Sequence, residues 1–422
     1  MKFLCAPRGF DAAGFDSMQR VVLFSTGKPG RDVHAGADVI RRVKRGGLVV
    51  DSLAWDFVAI ALSAYAADSS SLRSESPDGW TRELDLTIAV QHPDMWNNSA
   101  AELARTLAFL STDRWNFHFI PGGKAPPVPR KPRNPELDAA VLLSGGLDSL
   151  VGALDLAAQG KSLLAVSKLV RGDAERQRRY AKSTCKEHHV FNDSTNTLRR
   201  AESSQRSRSL VFIAFGILAA SSLARYRRNE GATLYLCENG FIAINPPLTG
   251  LRLGSLSTRT AHPVFLAGIA RLLEGVGIRV DIENPYRHKT KGEMLIECLD
   301  QPRLEQLATD STSCGRFQKF NYKHCGRCIP CQVRRASLLA WGKVEDDTGY
   351  VFDDLSINDH QHAAFDDVRA VAMATIAAKA DLSYWVGNAL GSPGLSDRPA
   401  LRDMLGRSIT ELAALHETLR VQ

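Results

Sequence analysis

Between residues 139 and 159 an apolar run passes directly into Ser144-Gly145-Gly146-Leu147-Asp148-Ser149 and then into a helical pattern. No other stretch restricts the fold of the chain so tightly. The residues up to Leu143 are continuously apolar, the mark of a strand covered on both faces, and such strands belong to parallel sheets wrapped by helices. Adjacent glycines let the backbone turn sharply and bring its amides close to an anion. The hydroxyls of Ser144 and Ser149 and the N-terminus of the helix predicted over 149–159 add donors and positive potential. Leu143, Ser144, Gly145, Gly146, Leu147, Asp148 and Ser149 are therefore the candidate polyphosphate loop. Asp148 would repel bare phosphate, and its use in such a loop is to hold Mg²⁺ against a nucleotide. The Walker lysine is absent from this loop, since Ser144 to Ser149 holds no Gly-Lys-Ser/Thr. The alternative is a plain strand-to-helix turn capped by Asp148 or Ser149.

The surroundings fit an α/β class. Strands are predicted at 137–143, 162–170, 233–237 and 278–282, alternating with helices at 149–159, 174–188, 210–227 and 264–273. Thr290 precedes Glu293 by three positions before an apolar run, a capping box that starts another helix. A proline-rich basic segment, 121–136, excludes helix and central strand and reads as a linker. Ahead of it, 1–120 reads as an α+β domain with strands at 21–24, 84–90 and 115–119 and helices at 57–67 and 100–110. The core domain is 137–345. From 346 to 422 the chain reads as a helical extension, two helices forming a hairpin broken by Gly391-Ser392-Pro393-Gly394.

The second chemical signal is Cys314, then Cys325-Gly-Arg-Cys328-Ile-Pro-Cys331. Four thiolates in eighteen residues can form a tetrahedral shell, which suits structural Zn²⁺, with an iron-sulfur cluster as the rival. Arg316, Lys323, Arg327, Arg334 and Arg335 lie close in sequence and are expected to offset its negative charge. The other cysteines are Cys5, Cys185, Cys237 and Cys298. They are isolated, the usage of a reducing compartment. The longest apolar run, 210–220, is too short to span a bilayer, and the N-terminal residues do not read as a signal peptide or lipoprotein anchor, so a cytoplasmic location is expected. Lys and Arg number 53 against 46 acidic residues, which favours anionic partners without choosing among them.

The Ser144–Ser149 motif resembles the PP-loop of the N-type ATP pyrophosphatases (adenine nucleotide alpha hydrolase-like fold), which cleave ATP between the α and β phosphates and activate carboxylates or carbonyl oxygens as AMP esters. Ser313-Cys314 with Cys325 to Arg335 is similar to the pattern of one branch, the 7-cyano-7-deazaguanine synthase or QueC family. Asn284-Pro285-Tyr286, Thr290-Lys291-Gly292-Glu293-Met294 and Gln177-Arg178 match more loosely. The resemblance covers about 137–345. It implies adenylation of a 7-deazaguanine carboxylate with ATP and Mg²⁺, transfer to ammonia or another amine, and dehydration to a nitrile with a second ATP. It also implies Zn²⁺ on Cys314, Cys325, Cys328 and Cys331, and Lys291 as the group stabilising phosphate or acyl-adenylate charge. Glu238 and Asn239 follow a predicted strand end and either contact the heterocycle or form an Asn-Gly turn.

The family's substrate segment is not reproduced at 238–247, and the flanking parts of the chain have no counterpart in queuosine-pathway enzymes. Long forms with such flanks resemble proteins of bacterial anti-phage clusters, notably the Qat type, where the acyl group can pass to a partner protein's amine. A PP-loop tRNA-modifying enzyme that binds RNA, an authentic 7-cyano-7-deazaguanine synthase and a non-catalytic ATP-binding partner protein are the other readings.

Overall fold

The structure is a computed structural model that describes residues 1–27, 30, 32–196, 201–249, 259–355 and 365–421. The first unit carries β1 (Lys2–Pro7), β2 (Gln19–Ser25), β3 (Val33–Gly36), α1 (Val39–Gly46), α2 (Ser52–Ser70), β4 (Glu83–Ala89), α3 (Pro93–Ser111) and β5 (Arg114–Ile120). The second opens with β6 (Ala139–Leu142), α4 (Leu147–Ala158), β7 (Leu163–Lys168), α5 (Ala174–Thr184) and β8 (Glu187–Phe191). It continues through α6 (Arg208–Ala220), α7 (Ala224–Arg227), β9 (Ala232–Tyr235), α8 (Gly240–Ile244), α9 (Pro263–Val276) and β10 (Val280–Glu283). Then come α10 (Lys291–Ile296), α11 (Gln301–Leu307), α12 (Ile329–Trp341), and three C-terminal helices, α13 (Phe365–Ala380), α14 (Leu382–Leu390) and α15 (Arg398–Thr418).

Both sheets are five-stranded and all parallel, ordered β3-β2-β1-β4-β5 and β10-β9-β6-β7-β8. This is a Rossmann-like α/β architecture, and it corrects the α+β expectation for residues 1–120. The strand order is the same in both units, and each sheet reverses its direction of growth beside its first strand, where such sheets form a ligand crevice.

The helices between the sheets explain why the units do not separate. Helix α2 is predominantly apolar and buried along nearly its whole length, as a helix enclosed on every side must be. It packs on α6, and α3 packs on α9. Gly268 permits the second approach, since a Cβ there would meet Thr106 Oγ1 at 2.5 Å. One continuous apolar core therefore joins the inner faces of both sheets. A polar lock closes the joint. Fully buried Asp68, near the end of α2, accepts from the amides of Arg206 and Ser207 at 2.8 Å each, and so caps the start of α6. Its other oxygen pairs with Arg82 at 2.5 Å, and Arg82 also holds Asp113 at 2.7 Å.

The outer face of the second sheet is covered by α4, α5 and α10 to α12. Among the described residues of the first unit no helix joins β1 to β2 or β2 to β3, and β5 exposes alternate residues. The linker folds back onto the first unit rather than hanging free: Gly123 N donates to Val90 O at 3.1 Å, and Trp55 Nε1 donates to Lys124 O at 2.8 Å. The start of the linker thus lies against the end of β4 and the first turn of α2.

Three boundaries differ from the sequence reading. The helix predicted over 174–188 stops at Thr184, and Glu187–Phe191 is the edge strand β8. The helix predicted over 210–227 breaks at 221–223. The C-terminal hairpin has three helices, because Asp381 ends α13 and caps α14 by accepting from Tyr384 N at 2.9 Å.

Candidate functional site

Strand β6 delivers the glycine loop to the crevice beside β9. Gly145 has φ +92°, a conformation that favours glycine. A Cβ on Gly146 would meet Ser144 Oγ and Thr312 O, each at 3.2 Å, so a side chain there would crowd the loop. Within it, Gly146 N donates to Ser144 Oγ at 3.2 Å and Ser149 Oγ donates to Gly146 O at 2.9 Å. Fully buried Gln177 on α5 holds the loop from behind, donating to Ser144 O at 3.1 Å and Lys168 O at 3.0 Å. Thr312 N donates to Gly145 O at 3.0 Å from the opposite side.

The loop opens into a cavity of about 230 Å³ that is lined also by Cys237, Glu238, Lys291, Thr312 and Ser313. Asp148 and Lys291, 143 residues apart in the chain, form a buried ion pair there. Asp148 Oδ2 accepts from Asn239 Nδ2 at 2.6 Å and Asn239 N at 3.1 Å. Burial acts to raise the Asp148 carboxyl, but the Lys291 ammonium and the hydrogen bonds outweigh it and hold it at about 2. Glu238 is pushed the other way, well above the usual carboxylate range, by burial and then by the Asp148 charge. Two facing carboxyls that cannot both ionise retain a proton between them.

Asn239 does not form a turn: its side chain accepts from Ile242 N at 3.0 Å and caps α8. Asn284, from the Asn-Pro-Tyr segment, ties the ends of β9 and β10 together by donating to Glu238 O at 2.9 Å. Lys291 begins α10 behind the predicted capping box, with Glu293 N donating to Thr290 Oγ1 at 2.9 Å and Thr290 N to Glu293 Oε2 at 2.9 Å. Its position in a first helical turn is electrostatically unfavourable, and Asp148 compensates.

A second cavity of about 480 Å³ adjoins the first through Thr312. Its charged lining is Arg171, Arg208, Arg316 and Lys319 with one carboxyl, Asp173, and so is mainly cationic.

Cys314, Cys325, Cys328 and Cys331 come together as the sequence predicts, all buried, with their sulfurs within 4.8 Å of one another. Cys325 and Cys331 are 3.9 Å apart and Cys314 and Cys328 3.8 Å. A tetrahedral ion with Zn–S bonds of about 2.3 Å sets sulfurs about 3.8 Å apart, so the cluster can hold a metal ion such as zinc. Backbone amides of Cys325 and Arg316 point at Cys314 Sγ, at 3.4 and 3.3 Å, and that of Cys328 at Cys325 Sγ, at 3.2 Å. Two of the nearby arginines also have a structural part. Arg334 donates to Ala308 O, Thr309 O and Ser311 Oγ, and Arg335 to Asp353 O, so they pin loops. His324 Nε2 accepts from Ser313 N at 3.2 Å, which joins the cysteine knuckle to the wall of the loop cavity.

The sequence alone did not assign Gln177 its anchoring of the loop, nor Glu411 of α15, whose carboxylate accepts from Thr290 Oγ1 and from Gly292 N at 3.2 Å. Glu411 sits 121 residues from Thr290 in a helix with no motif, and no local signal marks it.

Fold and site together define a Rossmann-like α/β protein with two parallel sheets, a glycine loop at one sheet reversal and a cysteine cluster fit for a metal ion. Comparison of the chain with models of protein families, with curated proteins and with solved structures finds no match. Among the described residues, no helix is long and apolar enough to cross a membrane.

Proposed function

We propose that the chain is a QueC-like, PP-loop, ATP-dependent enzyme that adenylates a 7-deazaguanine carboxylate and passes the acyl group to an amine. The amine is ammonia or an amine of a partner protein encoded nearby, and the setting is the cytoplasm of a bacterium, in anti-phage defence. The observation that carries the reading is the convergence of Asp148, Lys291 and Glu238 at the mouth of a glycine loop built to admit a backbone-bound anion.

In the first step a substrate carboxylate oxygen attacks the α-phosphorus, the bond to the β-phosphate oxygen breaks, and pyrophosphate leaves with the electron pair. In the second the amine nitrogen attacks the acyl carbon, AMP leaves with the C–O electrons, and the nitrogen gives up a proton. The loop amides and hydroxyls bind phosphate oxygens, and Lys291 offsets charge that grows on them. Asp148 is the carboxylate that would hold Mg²⁺, which supplies further neutralisation of the phosphates when bound. Its oxygens are engaged by Lys291 and Asn239, so Lys291 would have to give up its place on Asp148 for the metal to bind there. Zn²⁺ on the four cysteines would stiffen the Thr312-Ser313 wall.

Against tRNA thiolation stands Cys237. It is the isolated cysteine lining the loop cavity, and burial followed by the Asp148 charge pushes its thiol up, away from the reactive thiolate.

The test is pyrophosphate and AMP release from Mg²⁺-ATP with 7-carboxy-7-deazaguanine. Asp148→Ala is expected to lower the rate by about 100-fold. No release by the native protein, or an equal rate in the variant, refutes the reading. Intact-mass measurement of co-expressed neighbouring proteins separates ammonia from a protein amine as acceptor.

A further inference from the structure

The C-terminal helices reach the loop cavity without lining it. Helix α15 grips the turn that presents Lys291. Glu411 accepts from the Thr290 hydroxyl and from Gly292 N, the residues on either side of Lys291. One turn earlier, Arg407 donates to His288 O at 2.9 Å and pairs with Glu293 at 2.5 Å. Arg287 pairs with Asp397, the residue before α15, at 2.8 Å. The same helix also braces the other side of the cavity. Met404 lies against Gly240, where a Cβ would meet its sulfur at 2.7 Å, and Gly240 follows the Glu238-Asn239 pair. The segments carrying Lys291 and Glu238 are thus both backed by one helix.

Thr290 already has a complete capping box with Glu293, so α10 does not need Glu411 in order to begin. What Glu411 adds is a second fixed point at the backbone of Gly292, the residue next to Lys291. We propose that Glu411 is a positioning residue for Lys291, and that the C-terminal extension therefore sets the charge at the mouth of the glycine loop. The proposal rests on the reading of Lys291 as the charge-compensating group, but its geometric half can be measured separately.

Limited acylation of the full-length protein by an amine reagent, read by peptide mass spectrometry, gives the modification rate of Lys291 relative to Lys289. The Lys289 side chain is 37% exposed and that of Lys291 is 7%. In Glu411→Ala the Lys291 to Lys289 ratio is expected to rise about tenfold. In Gly292→Ala, where the new Cβ would stand 2.5 Å from Glu411 Oε1, it is expected to rise in the same direction with the fold retained. Pyrophosphate release should lose about tenfold in kcat with KM for ATP within about twofold, as for a misplaced catalytic group. Glu411→Gln, which keeps one acceptor, should recover part of that loss. A ratio unchanged in both Glu411→Ala and Gly292→Ala overturns the proposal, even if the melting temperature falls. If the native protein releases no pyrophosphate, the catalytic reading fails while the labelling ratio still decides the positioning role.

Discussion

Replacing Lys291 with methionine keeps most of the length of the side chain and removes its charge, leaving Asp148 buried at 5% exposure without its cation. Breaking a buried pair from one side is destabilising by about 3–5 kcal/mol. With an unfolding entropy of about 2.1 cal/mol/K per residue, the whole 422-residue chain unfolds with about 0.9 kcal/mol/K, so the melting temperature should fall by about 3–6 °C at pH 7. The pH dependence has a definite sign. In the native protein Asp148 is held at about 2, below its ordinary 3.8. This contributes about 2 kcal/mol of stability that is present above pH 3.8 and lost as pH falls towards 2. In Lys291→Met the same carboxyl is desolvated with no cation and titrates above the ordinary range. Its deficit should therefore be largest at pH 7 and shrink towards pH 5.5, and Lys291→Met/Asp148→Asn should melt above the single variant. The assay is thermal unfolding followed by far-UV circular dichroism at both pH values. A single variant within about 1 °C of the native protein at pH 7, a deficit that grows on acidification, or a double variant no better than the single refutes the buried-pair argument.

Metal analysis of the purified protein should find one equivalent of zinc per chain, and Cys328→Ser should lose it together with the fold of 312–331; iron with visible absorption would exclude the zinc assignment. Asp68→Ala removes the acceptor of two amides and of Arg82 at the joint between the units, and should destabilise the chain by about 3–5 kcal/mol. Faster hydrogen exchange at the start of α6 would locate the damage there, and a loss under 1 kcal/mol would show that the joint does not depend on the lock.

What could be read in advance was whatever a local pattern encodes. The strand, loop and helix around Ser144–Ser149, the Thr290–Glu293 cap and the cysteine spacing each depend on residues a few positions apart, and each is found as expected. The first unit was misjudged because its parallel character depends on pairing across long separations. Among the described residues, strands β1 to β3 are joined without helices, so the alternation that announces a parallel sheet is missing there. Strand β8 escaped because Glu187-His188-His189 makes its first residues polar, as an edge strand permits, and nothing marks its boundary with α5. The site was half legible. Asp148, Lys291 and Glu238 could be named one by one, but their meeting follows from which strand ends adjoin at the sheet reversal, and the backing by Glu411 follows from how the chain returns 121 residues later.

The matched strand order has a consequence of its own. Helices α2 and α3 stand in the first unit where α6 and α9 stand in the second, and each packs on its counterpart. Like meeting like across a joint is the signature of a two-fold dimer interface, and here both halves belong to a single polypeptide. Association between them is intramolecular, so dilution cannot dissociate it, and the halves need not remain equal. One keeps the glycine loop after its first strand, while the other has Arg8-Gly9-Phe10 at the same place. A symmetric pair of separate subunits would carry two identical loops; fusion allows one half to give up its loop and serve as a permanent scaffold for the other.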